Sequence, residues 1–420
     1  MKKVSEKGIA VLALILLCFV PLNVNAQSGI NSPYSRYGVG ILSDHSTGIL
    51  KSMGGIGTGF REANTLNLKN PASYSTIDTL TFLADLGFAL QNGNFSENGV
   101  RLNAHNAYIS HMAMQFRILP KVGMTVGFMP FANVGYGFSK TEPVRRDEDG
   151  EITSTITNSG SGGVRQFLGG LGWRPTKWLS VGANAAFLSG DINHYISNTY
   201  SSSEVQSREK TYNTEMSAFR YELGAQGTLS FSPERSLVLG ATFAPAQTLK
   251  SDTYVTDRHS VSDTVNIADA FSMPDLMSAG FTYNWNKGII GADVSYQTWS
   301  KASFFGQKTG SDRISAAVGY MRKPDGMSRN LLLRTSYQVG LNFSQSYFKV
   351  GDSMGPMQFG VSAGFTLPFN TSYNSISNLH VSGEYIRVQP MSKGMISENY
   401  IRINIGVTFM ERWFMKLMVD

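Results

Sequence analysis

The most constraining feature of this sequence is a strict alternation of apolar and polar side chains in residues 400–409. The apolar positions are Ile401, Ile403, Ile405, Val407 and Phe409. Successive side chains of a β-strand point to opposite faces, so one face of this stretch is apolar and the other is polar. A strand of about ten residues tilted by about 45° is long enough to cross a bilayer. A half-buried strand of a soluble sandwich would show the same pattern, so the interpretation depends on repetition.

The alternation recurs about fourteen times between residues 80 and 409. Short turns containing Pro, Gly or Asn alternate with longer polar segments, which include residues 140–162, 195–217 and 252–272. Bacterial outer-membrane barrels have an even strand number, short periplasmic turns and longer outer loops. The sequence therefore predicts an all-β fold, a transmembrane antiparallel β-barrel of about 14 strands, and a location in the bacterial outer membrane. Residues 331–343 are predicted to form one of these strands.

The first 26 residues have the pattern of a signal peptide. Lys2, Lys3 and Lys7 form a basic start, residues 9–20 are apolar, and small residues precede Gln27. An apolar stretch of this length is typical of a cleaved leader, although an N-terminal membrane anchor is the alternative. The single cysteine, Cys18, lies within this stretch. The mature chain is therefore expected to contain neither disulfides nor a thiol nucleophile.

The composition argues against several other classes of protein. Charged residues make up 16% of the chain, and the net charge of +6 is spread without a long basic block, so nucleic-acid binding has no support. A mean hydropathy of −0.12 is too polar for a bundle of membrane helices. None of the six histidines has metal-ligand spacing, and no serine or aspartate motif marks a catalytic triad. We therefore expect no enzyme activity, catalytic residue, metal or cofactor.

The chain divides into four parts. Residues 1–26 are the signal peptide, 27–78 an N-terminal hatch or plug, 79–409 the transmembrane barrel, and 410–420 a periplasmic C-terminal tail. Residues 27–78 are rich in Gly, Ser and Asn without a sustained period, so a disordered lead is the alternative to a plug. The amphipathic tail is expected to lie at the membrane interface or to bind a protein partner.

Three stretches of the sequence form recognisable motifs: residues 62–65 leading into Asn70, Pro71 and Ala72, the hairpin of residues 166–183, and Pro274 followed by residues 292–300. Together they resemble the FadL family of outer-membrane transporters for long-chain fatty acids and other hydrophobic molecules. The resemblance covers essentially the whole mature chain. It implies a fourteen-stranded barrel, a hatch whose motif is Asn70, Pro71 and Ala72, and a kinked third strand through which a hydrophobic substrate leaves sideways.

The predicted third strand begins at Val122 and is interrupted near Pro130. Proline has no N–H group to donate to a neighbouring strand, so it disrupts pairing there. We expect a lateral gate in this region; the alternative is an ordinary bulge or strand end. The candidate gate residues are Gly127, Phe128, Pro130, Phe131 and Asn133.

Several positions predicted to face the lumen carry a charge. They are Asp85, Arg117, Asp293, Arg313, Glu384 and Arg402. Such residues can form a paired girdle around the hatch, and an arginine can also bind a carboxylate head group. The candidates for head-group contact are Arg117, Asp293, Arg313 and Arg402.

Passive uptake of hydrophobic molecules such as long-chain fatty acids, with lateral exit through the barrel wall, is the function that these patterns favour. The expected partners are the outer-membrane lipid bilayer and hydrophobic small molecules. The alternative is a FadL-like barrel that acts as a non-transporting partner or shuttle in protein secretion or outer-membrane assembly, with a protein bound through the C-terminal tail. A water-filled porin is a third, weaker hypothesis, against which an ordered hatch would count.

Overall fold

A computed structural model describes residues 29–412 except for 98, 148–149, 203, 259–262, 269–270, 305 and 373–374. The predicted signal peptide, residues 1–26, and residues 413–420 of the predicted C-terminal tail lie outside the described residues. Fourteen antiparallel strands form a closed barrel, as the alternating sequence predicts. The predicted fold class is confirmed.

The first seven wall strands are β1 (Thr81–Glu97), β2 (Val100–Leu119), β3 (Val122–Asp147), β4 (Gly150–Trp173), β5 (Leu179–Tyr200), β6 (Arg208–Ser232) and β7 (Arg235–Ala244). The remaining seven are β8 (Leu276–Trp285), β9 (Gly288–Gln297), β10 (Arg313–Arg322), β11 (Ser336–Gln345), β12 (Met357–Ser372), β13 (Ser375–Gln389) and β14 (Ser397–Arg412).

Each strand pairs with its neighbour in sequence, and the last strand pairs with the first. The closing β1–β14 ladder runs from Thr81 opposite Arg412 to Ser96 opposite Ser397. Closure removes the free sheet edges that hydrocarbon could not satisfy. Strand β14 therefore continues three residues beyond the predicted barrel end, because Met410, Glu411 and Arg412 pair with the start of β1.

The outer surface of the wall carries a belt of exposed apolar side chains. Phe219 is 62% exposed, Leu341 is 57% exposed and Ile401 is 55% exposed. Side chains that alternate with them face inward and are polar, such as Gln226 and Asn404, and both of these are buried. No helix in the described part of the chain is long and apolar enough to cross a membrane.

The strands extend further than the sequence pattern indicates. Residues 140–162 and 195–217 are predicted polar loops, yet they largely continue β3 to β6 as long hairpins. Threonine is frequent there and favours extended backbone without an apolar face. Conversely, Leu331–Arg334 is a helical turn rather than the start of β11. The prediction of strand at residues 331–334 is wrong.

The segments outside the wall are short elements. Between β7 and β8 lie the strands Gln247–Arg258, Asp263–Ala268 and Phe271–Met273. A 3₁₀ turn, Trp299–Lys301, follows β9, and the two-residue strands Lys349–Val350 and Ser353–Met354 pair between β11 and β12.

Residues 29–78, called the N-terminal segment below, lie against the inner face of the wall. Their elements are the 3₁₀ helix Pro33–Arg36, the strand Ile41–Leu42, the helix Gly48–Ser52 and the 3₁₀ helix Pro71–Thr76. The segment contacts inward side chains of many strands, from Gln115 on β2 to Ser362 on β12. That residues 27–78 act as a hatch remains a prediction, because a hatch must move and these contacts describe one position of the segment.

Backbone of the N-terminal segment touches the wall where the wall residues are glycine. A Cβ at Gly182 or Gly224 would collide with Pro71, and one at Gly340 would collide with the backbone of Met53 and Gly54. Gly54 itself has φ +69°, in the left-handed region that favours glycine. These positions therefore set how closely the segment approaches the wall.

We expect Gly340→Ala to destabilise the contact between β11 and the N-terminal segment by about 1–3 kcal/mol, the usual cost of overpacking. The added methyl would overlap the backbone nitrogen of Gly54. Denaturant unfolding in lipid vesicles and hydrogen exchange at residues 50–58 measure the effect. Gly227→Ala is the control, because a Cβ there meets nothing within 4 Å among the described residues. Equal stability of the two variants would contradict this explanation.

Candidate functional site

The Asn70, Pro71 and Ala72 motif starts the second 3₁₀ helix of the N-terminal segment. The Asn70 side-chain oxygen accepts a hydrogen bond from the Ala72 N–H (3.0 Å), and Pro71 occupies the first helical position. The Asn70 amide nitrogen donates to the Thr58 carbonyl (2.8 Å) and the Ala225 carbonyl of β6 (3.2 Å). Asparagine is required because one side chain must cap the helix and also donate to two carbonyls. The motif therefore ties the segment to itself and to the wall.

Asp293 is an acceptor for the backbone of the N-terminal segment. Its Oδ2 accepts hydrogen bonds from the N–H groups of Gly57 (2.6 Å) and Thr58 (2.7 Å). The nearby Gln226 donates to the carbonyls of Thr58 and Phe60, each at 3.1 Å. Irregular backbone that is buried needs such partners, because an unpaired amide or carbonyl is costly. One of the candidate head-group residues thus contacts the segment in this structure.

The ladder between β2 and β3 is interrupted. The pairs run from Leu119–Val122 to Met112–Phe128 and stop there. Beyond this point β2 still pairs with β1, and β3 still pairs with β4. The described backbone therefore leaves a gap between residues 100–111 of β2 and the part of β3 that follows Phe128.

The N-terminal segment occupies this gap. Ile41 and Leu42 pair with Asn133 and Ala132 of β3. Ser43 donates its N–H to the Phe131 carbonyl (2.9 Å) and accepts a bond from the Asn133 amide (3.0 Å). These bonds satisfy backbone that the missing ladder leaves without a strand partner. Further along, Ser35 Oγ donates to the Gly135 carbonyl (3.1 Å), and the Gly135 N–H donates to Ser35 Oγ (3.0 Å).

Pro130 lies at a bulge, as its missing N–H predicts. The β3–β4 register shifts between Pro130 and Ala132, and the side chain of Phe131 is buried. Its ring lies 5.8 Å from the ring of His45 and beneath the Arg220 guanidinium. Gly127 and Phe128 remain in the regular ladder, and the Phe128 ring is 4.7 Å from that of Phe167. Three of the five candidate gate residues, Pro130, Phe131 and Asn133, thus border the gap, and the other two precede it.

A cavity of about 360 Å³ lies between the N-terminal segment and the wall. Pro130 and Asn133 line it, together with apolar residues such as Leu168. Its charged lining residues are Asp44, Lys51, Lys69, Arg220, Glu222, Asp293, Arg313, Glu384, Glu398 and Arg402. The cavity is therefore amphipathic, with a strongly charged part.

Some of these charges are paired and others are not. Lys69 forms an ion pair with Asp44 (3.0 Å), and Arg402 forms one with Glu384 (3.0 Å) and also donates to Gln91. Within the described residues, no carboxylate lies within ion-pair distance of the three other cavity cations. These three are Lys51, Arg220 and Arg313.

The four candidate head-group residues do not form one site. Arg402, Arg313 and Asp293 line the cavity, and Arg313 also donates from Nε to the Gln345 carbonyl (3.1 Å). Arg117 lies at the short-turn end of the barrel, where it donates to Thr79 Oγ1 (2.6 Å). It borders a separate recess there, which Arg61 and Arg174 also line.

The pKa values of Asp44 and His45 are both lower than usual. Burial alone would raise the pKa of Asp44, but the ammonium groups of Lys69 and Lys51 hold it well below its usual range. Burial lowers the pKa of His45 to about 4, and Arg220 opposes its protonation further. At neutral pH the segment therefore presents a carboxylate and a neutral imidazole beside the cavity.

A polar network in the wall was not predicted from sequence. Asp85 accepts from Thr408 Oγ1 (3.0 Å) and contacts His111 Nε2 at 3.0 Å, while His380 contacts Thr408 and Thr366. The β1–β2 register shifts beside His111, which is why the sequence pattern alone does not reveal the neighbours of this side chain. The described residues contain no cluster of three or more potential His, Cys, Asp or Glu metal ligands.

The overall geometry defines a class of protein: a closed fourteen-stranded barrel whose lumen holds the N-terminal segment. Similar folds are found in the toluene transporter TodX of Pseudomonas putida, the toluene transporter TbuX of Ralstonia pickettii and a FadL homologue of Pseudomonas aeruginosa. For TodX the TM-score is 0.58, with 14% identity over 89% of this chain and 100% of that chain. For TbuX the values are 0.57, 11%, 87% and 98%, and for the FadL homologue 0.57, 11%, 88% and 99%. The resemblance to the FadL family is therefore supported at the level of fold.

The chain belongs to the BamG family, whose model matches residues 8–420. This family differs in name from the one that the sequence motifs resemble. A comparison with curated protein sequences gave no match.

Replacing Asn70 with alanine should loosen the N-terminal segment. The variant Asn70→Ala removes a helix cap, which alone contributes about 0.5–2 kcal/mol. It also leaves the carbonyls of Thr58 and Ala225 without this donor. We expect faster proteolysis and hydrogen exchange at residues 57–76 while the barrel remains folded. Asn103→Ala is the control, since Asn103 is exposed and bonds only to Asn92 and Asn94 among the hydrogen bonds described. Unchanged exchange in Asn70→Ala would disprove the anchoring role.

Proposed function

We propose that the chain is a passive channel for hydrophobic molecules, with a lateral exit between β2 and β3, in the bacterial outer membrane. The observation that carries this proposal is the interrupted ladder beyond Met112–Phe128, next to the bulge at Pro130. A closed barrel can release a lipophilic molecule into the bilayer only where neighbouring strands separate. The belt of exposed apolar side chains supports the membrane location.

The position of the gap suits such an exit. Six residues separate Val122 from Phe128, and at about 3.3 Å per residue they span roughly 20 Å of strand. With a tilt of about 45°, this distance is roughly half of a hydrocarbon core about 30 Å thick. The ladder thus ends near the middle of the membrane, and the gap opens towards the half nearer the long loops.

The cavity indicates the class of molecule. Its apolar side chains include Leu68 and Leu168, and its cations without an ion-pair partner in the described residues include Arg220 and Arg313. A hydrocarbon chain with an anionic head, such as a long-chain fatty acid, matches both properties. Two of the proteins with a similar fold, TodX and TbuX, are toluene transporters, which supports hydrophobic cargo in general rather than this head group.

In this mechanism residues 29–43 control the exit. A molecule enters among the long loops, its charged end meets Lys51, Arg220 or Arg313, and its tail lies towards Pro130. Movement of Ile41 and Leu42 away from Asn133 and Ala132 then opens the wall. No energy source is required, because the molecule moves towards the bilayer down its own gradient.

A disulfide between the N-terminal segment and β3 should block the channel. Leu42 and Ala132 are register partners, so their Cα atoms lie about 4.5–5.5 Å apart, within the range of a disulfide. In a Cys18→Ser background, Leu42→Cys with Ala132→Cys should abolish uptake of labelled oleate by cells, and reduction should restore it.

The matched control is a second disulfide placed away from the gap. Ser382 and Asn404 are register partners on β13 and β14, with the Asn404 amide nitrogen 3.4 Å from Ser382 Oγ, and neither lines the cavity. Ser382→Cys with Asn404→Cys should leave uptake unchanged. Full uptake with the Leu42–Ala132 bond formed would refute an exit that needs this strand to move.

A non-transporting role as a partner or shuttle in protein secretion or outer-membrane assembly is the second candidate. The observation that favours it is the way residues 32–43 fill the gap. Tyr34 and Val39 are buried in an aromatic cluster, and Tyr347 Oη donates to the carbonyls of Tyr37 and Gly40. A segment fixed in this way suits a rigid barrel that presents its surface to another protein.

Native purification in mild detergent, followed by mass spectrometry of bound lipids and proteins, separates the two functions. Co-purified fatty acids favour the channel, and the Leu42–Ala132 disulfide should retain them in the cavity by closing the exit. A stoichiometric protein without lipid favours the partner role. Deleting residues 413–420, and not 410–420, tests the C-terminal tail, because Met410–Arg412 pair with β1 and their loss would damage barrel closure.

A further inference from the structure

The turn between β10 and β11 differs from the other turns at the short-turn end of the barrel. It contains residues 323–335, whereas the β2–β3, β6–β7 and β8–β9 connections contain two residues each. Hydrogen bonds give it a defined shape: Asp325 N–H donates to the Leu333 carbonyl (2.8 Å), and Leu332 N–H donates to Asn330 Oδ1 (3.0 Å). Its conformation is therefore set by its own backbone.

This ordered turn exposes a group of large apolar side chains. Met327 is 98% exposed, Leu332 is 66% exposed and Leu331 is 56% exposed, with Leu333 beside them. Single exposed apolar residues need no explanation, but several on one short turn indicate a surface that contacts something apolar. Because hydrogen bonds hold the turn in one conformation, the exposure of these side chains is a defined feature of the fold and does not result from poor packing.

The turn is joined to the lipid-facing side of the wall. Tyr337 Oη donates to the Leu332 carbonyl (3.3 Å). The Tyr337 side chain lies on the same outward face of β11 as Val339 and Leu341, which are 51% and 57% exposed. The Arg322 guanidinium lies 6.0 Å from the centre of the Tyr337 ring. Tyrosine with a neighbouring arginine is typical of the boundary between hydrocarbon and head groups. The apolar group thus continues the outer belt past its edge.

The charges around the group have the sign that lipid phosphates require. Arg322 directly precedes the turn and Arg329 and Arg334 belong to it, and no ion pair to any of them is found in the described part of the chain. The carboxylate of Asp325 in the same turn instead accepts the Met327 N–H (3.1 Å). Apolar side chains at the edge of the belt, flanked by arginines, match the upper acyl and phosphate region of a leaflet.

We propose that residues 323–335 form a membrane-interface anchor, in which Met327, Leu331 and Leu332 enter the leaflet while Arg329 and Arg334 bind phospholipid phosphates. The inference rests on the proposed membrane location of the barrel and is independent of what the lumen carries. It assigns a function to the one long turn at this end and fixes the depth of the barrel at β10 and β11.

Site-specific fluorescence tests the anchor in the full-length chain. In a Cys18→Ser background, Leu332→Cys carries an environment-sensitive dye after reconstitution into phosphatidylcholine vesicles with or without phosphatidylglycerol. We expect a blue-shifted emission and quenching by lipids with a shallow spin label that is several-fold stronger than for Asp352→Cys on a long-loop turn. Adding Arg329→Gln and Arg334→Gln should remove any increase in quenching due to phosphatidylglycerol.

Dye at Val361→Cys, within the exposed belt, separates failure of the anchor from failure of the membrane location. Quenching at Val361 without quenching at Leu332 would overturn the anchor and leave the barrel in the membrane. Absence of quenching at both would overturn both. Protection of the Leu332 dye only when a second protein is added would show that this surface binds protein instead of lipid. Leu331→Cys repeats the measurement if the Leu332 variant fails to insert.

Discussion

The structure depends on close contact between an irregular backbone and the inside of a β-barrel. Side chains at Gly182, Gly224 and Gly340 would displace the N-terminal segment, because the space they need is filled by Pro71, Met53 and Gly54. Once the backbone is this close, its amides and carbonyls are shielded from water and must find partners in the wall. Asp293 and Gln226 provide them. Close packing of the N-terminal segment therefore requires both glycines in the wall, which leave space for its backbone, and inward polar side chains, which bond to that backbone.

The same segment also completes the wall. A barrel in hydrocarbon cannot leave strand edges without hydrogen-bond partners, since lipid offers none. Where the β2–β3 ladder stops, Ile41, Leu42 and Ser43 bond to β3. Filling of the lumen and sealing of the wall are therefore coupled through one covalent chain.

The sequence predicts the barrel better than it predicts the site. Strand number and closure follow from the period-two pattern, which every membrane-spanning stretch must keep. Outside the membrane that constraint ends, so residues 140–162 form long strands without a readable pattern, and three consecutive leucines at Leu331 resemble a strand although they form a helical turn. Pro130 stands out in the sequence because its missing N–H acts locally, and Asn70 stands out through the resemblance of its motif to that of a known family. The partners of Asp293 and Arg402 do not stand out, because they depend on which residues of distant segments meet across the lumen.

The energy that holds the segment in the gap limits how the barrel can work. Four hydrogen bonds join Ser35 and Ser43 to β3, and at about 1 kcal/mol each they alone contribute roughly 4 kcal/mol, to which the pairing of Ile41 and Leu42 with β3 adds. A molecule can open the gap only by binding the open form more tightly by at least this amount, a ratio of roughly 10³ in affinity. In the proposed channel, Lys51, Arg220 and Arg313 would have to bind an anionic amphiphile more tightly in the open form than in the closed one. A neutral hydrocarbon offers only burial, so the proposed lateral exit depends more strongly on a charged head group than on the hydrocarbon part.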